Sequence, residues 1–65
     1  MKWECNAQGW TSTEPGRYTA TITGGPGRYG WHVHMVNGDG VGYGLELADA
    51  KRAAARALRV MEGRG

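Results

Sequence analysis

The sequence predicts an α+β domain: a three-stranded antiparallel sheet, four-stranded if the N-terminal segment adds a strand, with one C-terminal amphipathic helix packed on one face. Three observations predict it. Between Tyr18 and Leu45 apolar and polar residues alternate with a period of two. From about Leu47 to Met61 the period lengthens to that of a helix, in an Ala-, Leu- and Arg-rich stretch. Clusters of Gly, Pro and Asn punctuate the alternating part as turns.

The elements follow in order. Over residues 1–17, Trp3, Cys5 and Ala7 alternate with Lys2, Glu4 and Asn6, which suits a short strand or an extended arm. Trp10 anchors the stretch leading to a turn at Glu14-Pro15-Gly16. Tyr18, Ala20 and Ile22 then point inward and Thr19, Thr21 and Thr23 outward, a half-buried strand rich in β-branched residues. Gly24-Gly25-Pro26-Gly27 breaks it. A second strand is expected from about Tyr29 to Val36, with Tyr29, Trp31, Val33 and Met35 inward and His32, His34 and Val36 outward. Asn37-Gly38-Asp39-Gly40 reads as a hairpin turn. The third strand places Val41, Tyr43 and Leu45 inward and Gly42 and Gly44 outward. The meander thus covers 18–45 and the helix 46–62. On that helix Leu47, Ala50, Ala54, Ala57, Leu58 and Met61 share one face, opposite Arg52, Arg56 and Arg59. Glu46 is its expected N-cap, Asp49 favours the positive end of the dipole, and Gly63 is its stop.

At 65 residues the chain holds one domain. A domain of this size buries only about 60% of the surface its unfolded chain exposes. The single cysteine, Cys5, rules out an intrachain disulfide, so support from a second subunit is expected, and a homodimer is the favoured form. One thiol fits a reducing compartment. No apolar run approaches the length of a membrane span, and the first residues lack the apolar core of a signal peptide. A cytoplasmic protein with no membrane partner is expected. The net charge of +2 is too small to indicate a nucleic-acid partner by itself. Arg-, Gly- and Ala-rich usage is that of GC-rich codons, which suggests an actinobacterial or phage source.

Four patterns invite a functional reading. Gly25, Gly27 and Gly30 match the spacing of a dinucleotide fingerprint. That motif needs a helix after it, and here a strand follows, so the glycines serve a turn. His32 and His34, two apart on one strand, share a face in the spacing of a metal pair. Even with Cys5 they lack a fourth ligand, and neither metal nor cofactor is expected. Thr19, Thr21, Thr23, Arg28, His32, His34, Gly42 and Gly44 would together form the outer sheet face. Two strand glycines beside two histidines suggest a flat contact surface, so His32, His34, Gly42, Gly44 and Thr21 are the candidate partner-binding residues. Finally, Arg52, Arg56 and Arg59 form a basic helix stripe that, with Arg28, could contact phosphates. No nucleophile with an adjacent base is evident, so an enzyme is not expected.

The order strand, strand, strand, helix, carried by Tyr18-x-Ala20-x-Ile22, Trp31-x-Val33 and Leu47-Ala48-Asp49-Ala50-Lys51, resembles the Hic-type antitoxin fold. It also resembles the three-stranded Arm-type DNA-binding domains of tyrosine recombinases. Where the Hic-type pattern has Pro-Asp-x-Pro-Gly this chain has Asn37-Gly38-Asp39-Gly40, and Arg28 is the only base on or beside the second strand. The resemblance implies a fold and assigns no functional residue. Size and composition are similar to those of small phage accessory proteins. The leading expectation is a non-enzymatic module that binds and modulates a host or cellular protein. The alternative is a small DNA- or RNA-binding regulator using the basic helix face.

Overall fold

The computed structural model describes residues 1–63. Five strands, β1 (Glu4–Asn6), β2 (Gly9–Glu14), β3 (Tyr18–Gly25), β4 (Arg28–Met35) and β5 (Gly38–Gly44), precede one helix, α1 (Leu47–Gly63). All pair antiparallel with their chain neighbours, so spatial order follows chain order. The α+β class and the C-terminal helix are as expected. The strand count is not, because residues 1–17 supply two strands in place of a single strand or arm.

The extra hairpin has a local cause. Asn6 pairs with Gly9 across the two-residue turn Ala7-Gln8, and Asn6 Oδ1 accepts the Gln8 N–H at 2.9 Å. Gly9 has φ +142°, and a Cβ there would collide with the Ile22 carbonyl oxygen on β3. Only glycine lets β2 lie so close to β3 at this point. The next turn, at Pro15-Gly16, uses φ +79° at Gly16 and is closed by the Arg17 N–H on the Glu14 carbonyl at 2.9 Å.

Rows across the sheet define its inner face. One runs Cys5–Trp10–Ile22–Trp31–Gly42 and the next Ser12–Ala20–Val33–Gly40. The helix lies over β3, β4 and β5. Ala20, Ile22, Val33, Ala50 and Ala54 are fully buried, Tyr18 and Leu58 nearly so, and Trp3, Trp31, Met35 and Met61 pack against the cluster of Tyr18, Ala20, Val33, Ala54 and Leu58. Full burial of Ile22 and Val33 contributes about 1.5–3 kcal/mol each. The Ser12 and Tyr18 hydroxyls, buried side by side, hydrogen-bond at 3.2 Å.

The third expected strand is inverted. Its inner face is glycine, whereas Val41, Tyr43 and Leu45 are 72%, 68% and 70% exposed. The reason is the turn. It has two residues, Val36-Asn37, with Met35 opposite Gly38, and any two-residue turn here sets even positions of β4 beside odd positions of β5. That register sets Val41 directly opposite His32, on the outer face. Gly42 and Gly44 therefore face the helix layer. A Cβ at Gly42 would lie 2.6–2.9 Å from three atoms of the Trp31 ring, and one at Gly44 only 2.7 Å from the Ala50 backbone nitrogen. Absent side chains on β5 and alanines on α1 bring strand and helix backbones into contact.

Both helix ends are tied. The Glu46 N–H donates to Asp49 Oδ2 at 3.3 Å and the Glu46 carbonyl accepts the Ala50 N–H, the reciprocal half of a capping box. At the other end Arg17 donates to Glu62 and to Glu14, both at 2.5 Å. Asn37 Nδ2 donates to the Met61 carbonyl at 3.4 Å.

Substitution separates the two placements of β5. Gly42→Ala and Gly44→Ala are each expected to cost about 1–3 kcal/mol through overpacking. Gly25→Ala, with no atom within 4 Å of its Cβ, should change little. Urea denaturation measures this, and a neutral Gly44→Ala would place the strand the other way round.

Candidate functional site

The helix covers one sheet face and leaves the other open. Three rows cross it: Thr11–Thr21–His32–Val41, Thr13–Thr19–His34–Asp39 and Thr23–Gly30–Tyr43. Thr is favoured here because a β-branched side chain fits a pleated surface while its hydroxyl meets water.

Tyr43 lies across Gly30, whose Cβ position is 3.4 Å from the tyrosine Cε1. Arg28 covers the same ring, its guanidinium carbon 4.5 Å from the centroid, a cation–π contact at an exposed position. Between Tyr43 and the threonines is a shallow depression of 280 Å³ lined by Thr21, Thr23, Gly30, His32, Val41 and Gly42. At the far end of the face Asp39 joins both histidines. His32 Nε2 is 3.0 Å from Asp39 Oδ2 and His34 Nδ1 is 2.6 Å from Oδ1. A carboxylate can only accept, so both ring nitrogens facing it donate. The hydrogen bond from His32, then that from His34, holds the Asp39 carboxyl below the usual aspartate range.

Three of the residues read from sequence as partner-binding, Thr21, His32 and His34, stand together on this face. Gly44 does not, since it faces the helix, and Gly42, whose Cβ position points at the Trp31 ring, reaches the depression with its backbone alone. In their place are Val41, Tyr43 and Asp39, which the inverted strand had hidden, and the stacking of Arg28 on Tyr43. A signal for them existed. Counting back from a two-residue turn after Met35 pairs His32 with Val41.

The basic set does not form one surface. Arg52 is 3.3 Å from Asp49, and Arg56 and Arg59 are exposed without an ion-pair partner among the described residues. All three belong to the helix layer, whereas Arg28 lies on the opposite side of the sheet. Cys5, in the row of Trp10 and Ile22, is likewise separated by the sheet from His32 and His34. Among the described residues no three His, Cys, Asp or Glu side chains are placed to hold one metal ion. No described helix is long and apolar enough to cross a membrane.

These features define a class by architecture: a five-stranded meander with one face closed by a helix and the other left flat and exposed. Compared with protein-family models, curated proteins and solved structures, the chain matches none.

Linkage gives Asp39 a definite pH signature. Its lowered pKa means a contribution to stability that is fully present above the ordinary aspartate value of about 3.9 and is lost as pH falls through its folded value. Carboxyl titration by NMR should find Asp39 below that value. In a His32→Ala/His34→Ala variant the midpoint should rise, and an unmoved midpoint would mean the histidines do not act on it.

Proposed function

We propose that this chain is a non-catalytic protein-binding module whose open sheet face docks on a cellular or host protein, the mode of a small phage accessory protein. One observation carries the reading. The face turned to solvent holds Val41 and Tyr43 beside a row of threonines and two histidines, where a purely solvated face would be charged. Its flatness suits a protein surface better than a small ligand, which needs a concave pocket. The separation of Cys5 from the histidines supports a non-catalytic role.

Exposed Arg56 and Arg59 favour a second reading, a nucleic-acid contact by the helix alone. The two differ in salt response, since phosphate binding weakens steeply as salt rises.

Thr21→Arg tests the first reading, because Thr21 is central on the open face and only half-buried. A partner captured by the wild type should survive nuclease and bind Thr21→Arg at least tenfold more weakly, a loss of about 1.4 kcal/mol. It should be indifferent to Arg52→Ala/Arg56→Ala/Arg59→Ala. The reverse pattern, with capture abolished by nuclease and by the triple arginine variant, would replace this function with the nucleic-acid one.

A further inference from the structure

The two edges of the sheet are unlike. β1 is three residues long and carries Glu4 and Asn6. β5 is seven residues long, with no Lys, Arg or Pro in Gly38–Gly44. Natural sheets guard an exposed edge with short strands, charge or proline, and β5 has one aspartate.

Its backbone parity follows from the turns. Met35 and Gly38 close a two-residue hairpin, so they form a hydrogen-bonded pair, and such pairs recur at every second residue. Gly38, Gly40, Gly42 and Gly44 therefore bond to β4. The β3–β4 hairpin agrees, because Gly25 opposite Arg28 commits the even residues of β4 to β3 and leaves the odd ones for β5. Asp39, Val41 and Tyr43 then aim N–H and C=O away from the sheet.

We propose that β5 is the seam on which a second copy of this chain pairs, antiparallel, joining two sheets into one of ten strands. The strand is self-complementary. A two-fold axis at Val41 sets Val41 against Val41 of the second copy, and each outward-facing residue meets another of the same parity. In that register Asp39 of one copy faces Tyr43 of the other, the ring on which Arg28 is stacked. An acid is thereby brought to a base twice over. The alternative even register, Val41 against Tyr43, would leave Asp39 opposite Leu45, so charge selects the first. Beside the seam is a mainly apolar 390 Å³ groove lined by Gly40, Trp31, Ala53, Ala57, Val60 and Met61 together with Asp39 and Arg56. Val60, 49% exposed, borders it. Pairing also brings this apolar strip towards its symmetry mate. A chain with so small a core gains most from a partner that is always present at its own synthesis.

Sedimentation and amide exchange on the full chain test this. The wild type is expected to sediment at twice the 7.0 kDa chain mass, with Val41 and Tyr43 amides protected as concentration rises. Val41→Pro removes an outward N–H that no internal bond uses, so it should give a folded monomer. Asp39→Arg should also dissociate the pair, and Asp39→Arg/Arg28→Asp should restore it. A wild type monomeric into the millimolar range overturns the proposal. So does a dimer indifferent to Val41→Pro, or one whose Val41 and Tyr43 amides exchange freely. Thr21→Arg leaves the seam untouched, so failure here is distinguishable from failure of the protein-binding reading.

Discussion

The close approach of β5 to α1 is the constraint on which the rest of this structure depends. Gly40, Gly42 and Gly44 present no side chains to the helix, and Ala50, Ala54 and Ala57 present the smallest ones. Trp31 fills what space remains, lying against Gly42 and near Gly40. Its indole N–H is buried there without an acceptor among the described residues, a state that costs about 1–3 kcal/mol. Strand glycines add about 0.5–1 kcal/mol each relative to alanine. Those costs are offset by tryptophan burial and by helix contact along three strands.

From that one choice the chemistry of the opposite face follows. Period two means that a strand with glycine inward must put whatever side chains it has outward. On β5 these are Asp39, Val41 and Tyr43. Tyr43 then covers Gly30 on the neighbouring strand and Arg28 covers Tyr43, while Asp39 reaches both histidines. The open face is apolar at one side because the closed face is tight.

Much of the fold was legible because local and global signals agreed. The helix carried its stripe and its Glu46 cap, although Gly63, expected as its stop, lies within α1, and β3 and β4 alternated cleanly with the correct faces. The hairpin of β1 and β2 was hidden because the three residues of β1 show too little periodicity, and its turn, Ala7-Gln8, lacks turn-specific chemistry until Gly9. β5 was misread for a different reason. Hydrophobicity argued that Val41, Tyr43 and Leu45 belong inside, and Asn37-Gly38 is a strong turn signal. The actual turn uses Val36, a residue that rarely marks one. A two-residue turn at either Val36-Asn37 or Asn37-Gly38 sets odd residues of β5 beside even residues of β4, so Val41 shares a face with the histidines. Gly44 thereby left the candidate site and Gly42 kept only its backbone there, while Thr21, His32 and His34 stayed. A Gly-x-Gly-x-Gly-x-Gly strand followed by an alanine-striped helix was the pattern that favoured the tight arrangement.

The same economy of side chains explains why the molecule is left with surfaces in search of cover. Among the described residues seven hydrophobic ones are buried, and Ala20, Ala50 and Ala54 are three of them. Alanine and glycine allow close packing, but they bring little area out of water, and stabilisation scales with that area. The larger apolar groups that might have supplied it, Val41, Tyr43 and Leu45, lie outside. A sequence selected only for the stability of an isolated chain would reverse that distribution, whereas one whose open face and free edge are occupied would keep it. The proposed docking and pairing contacts would recover apolar area that the core lacks.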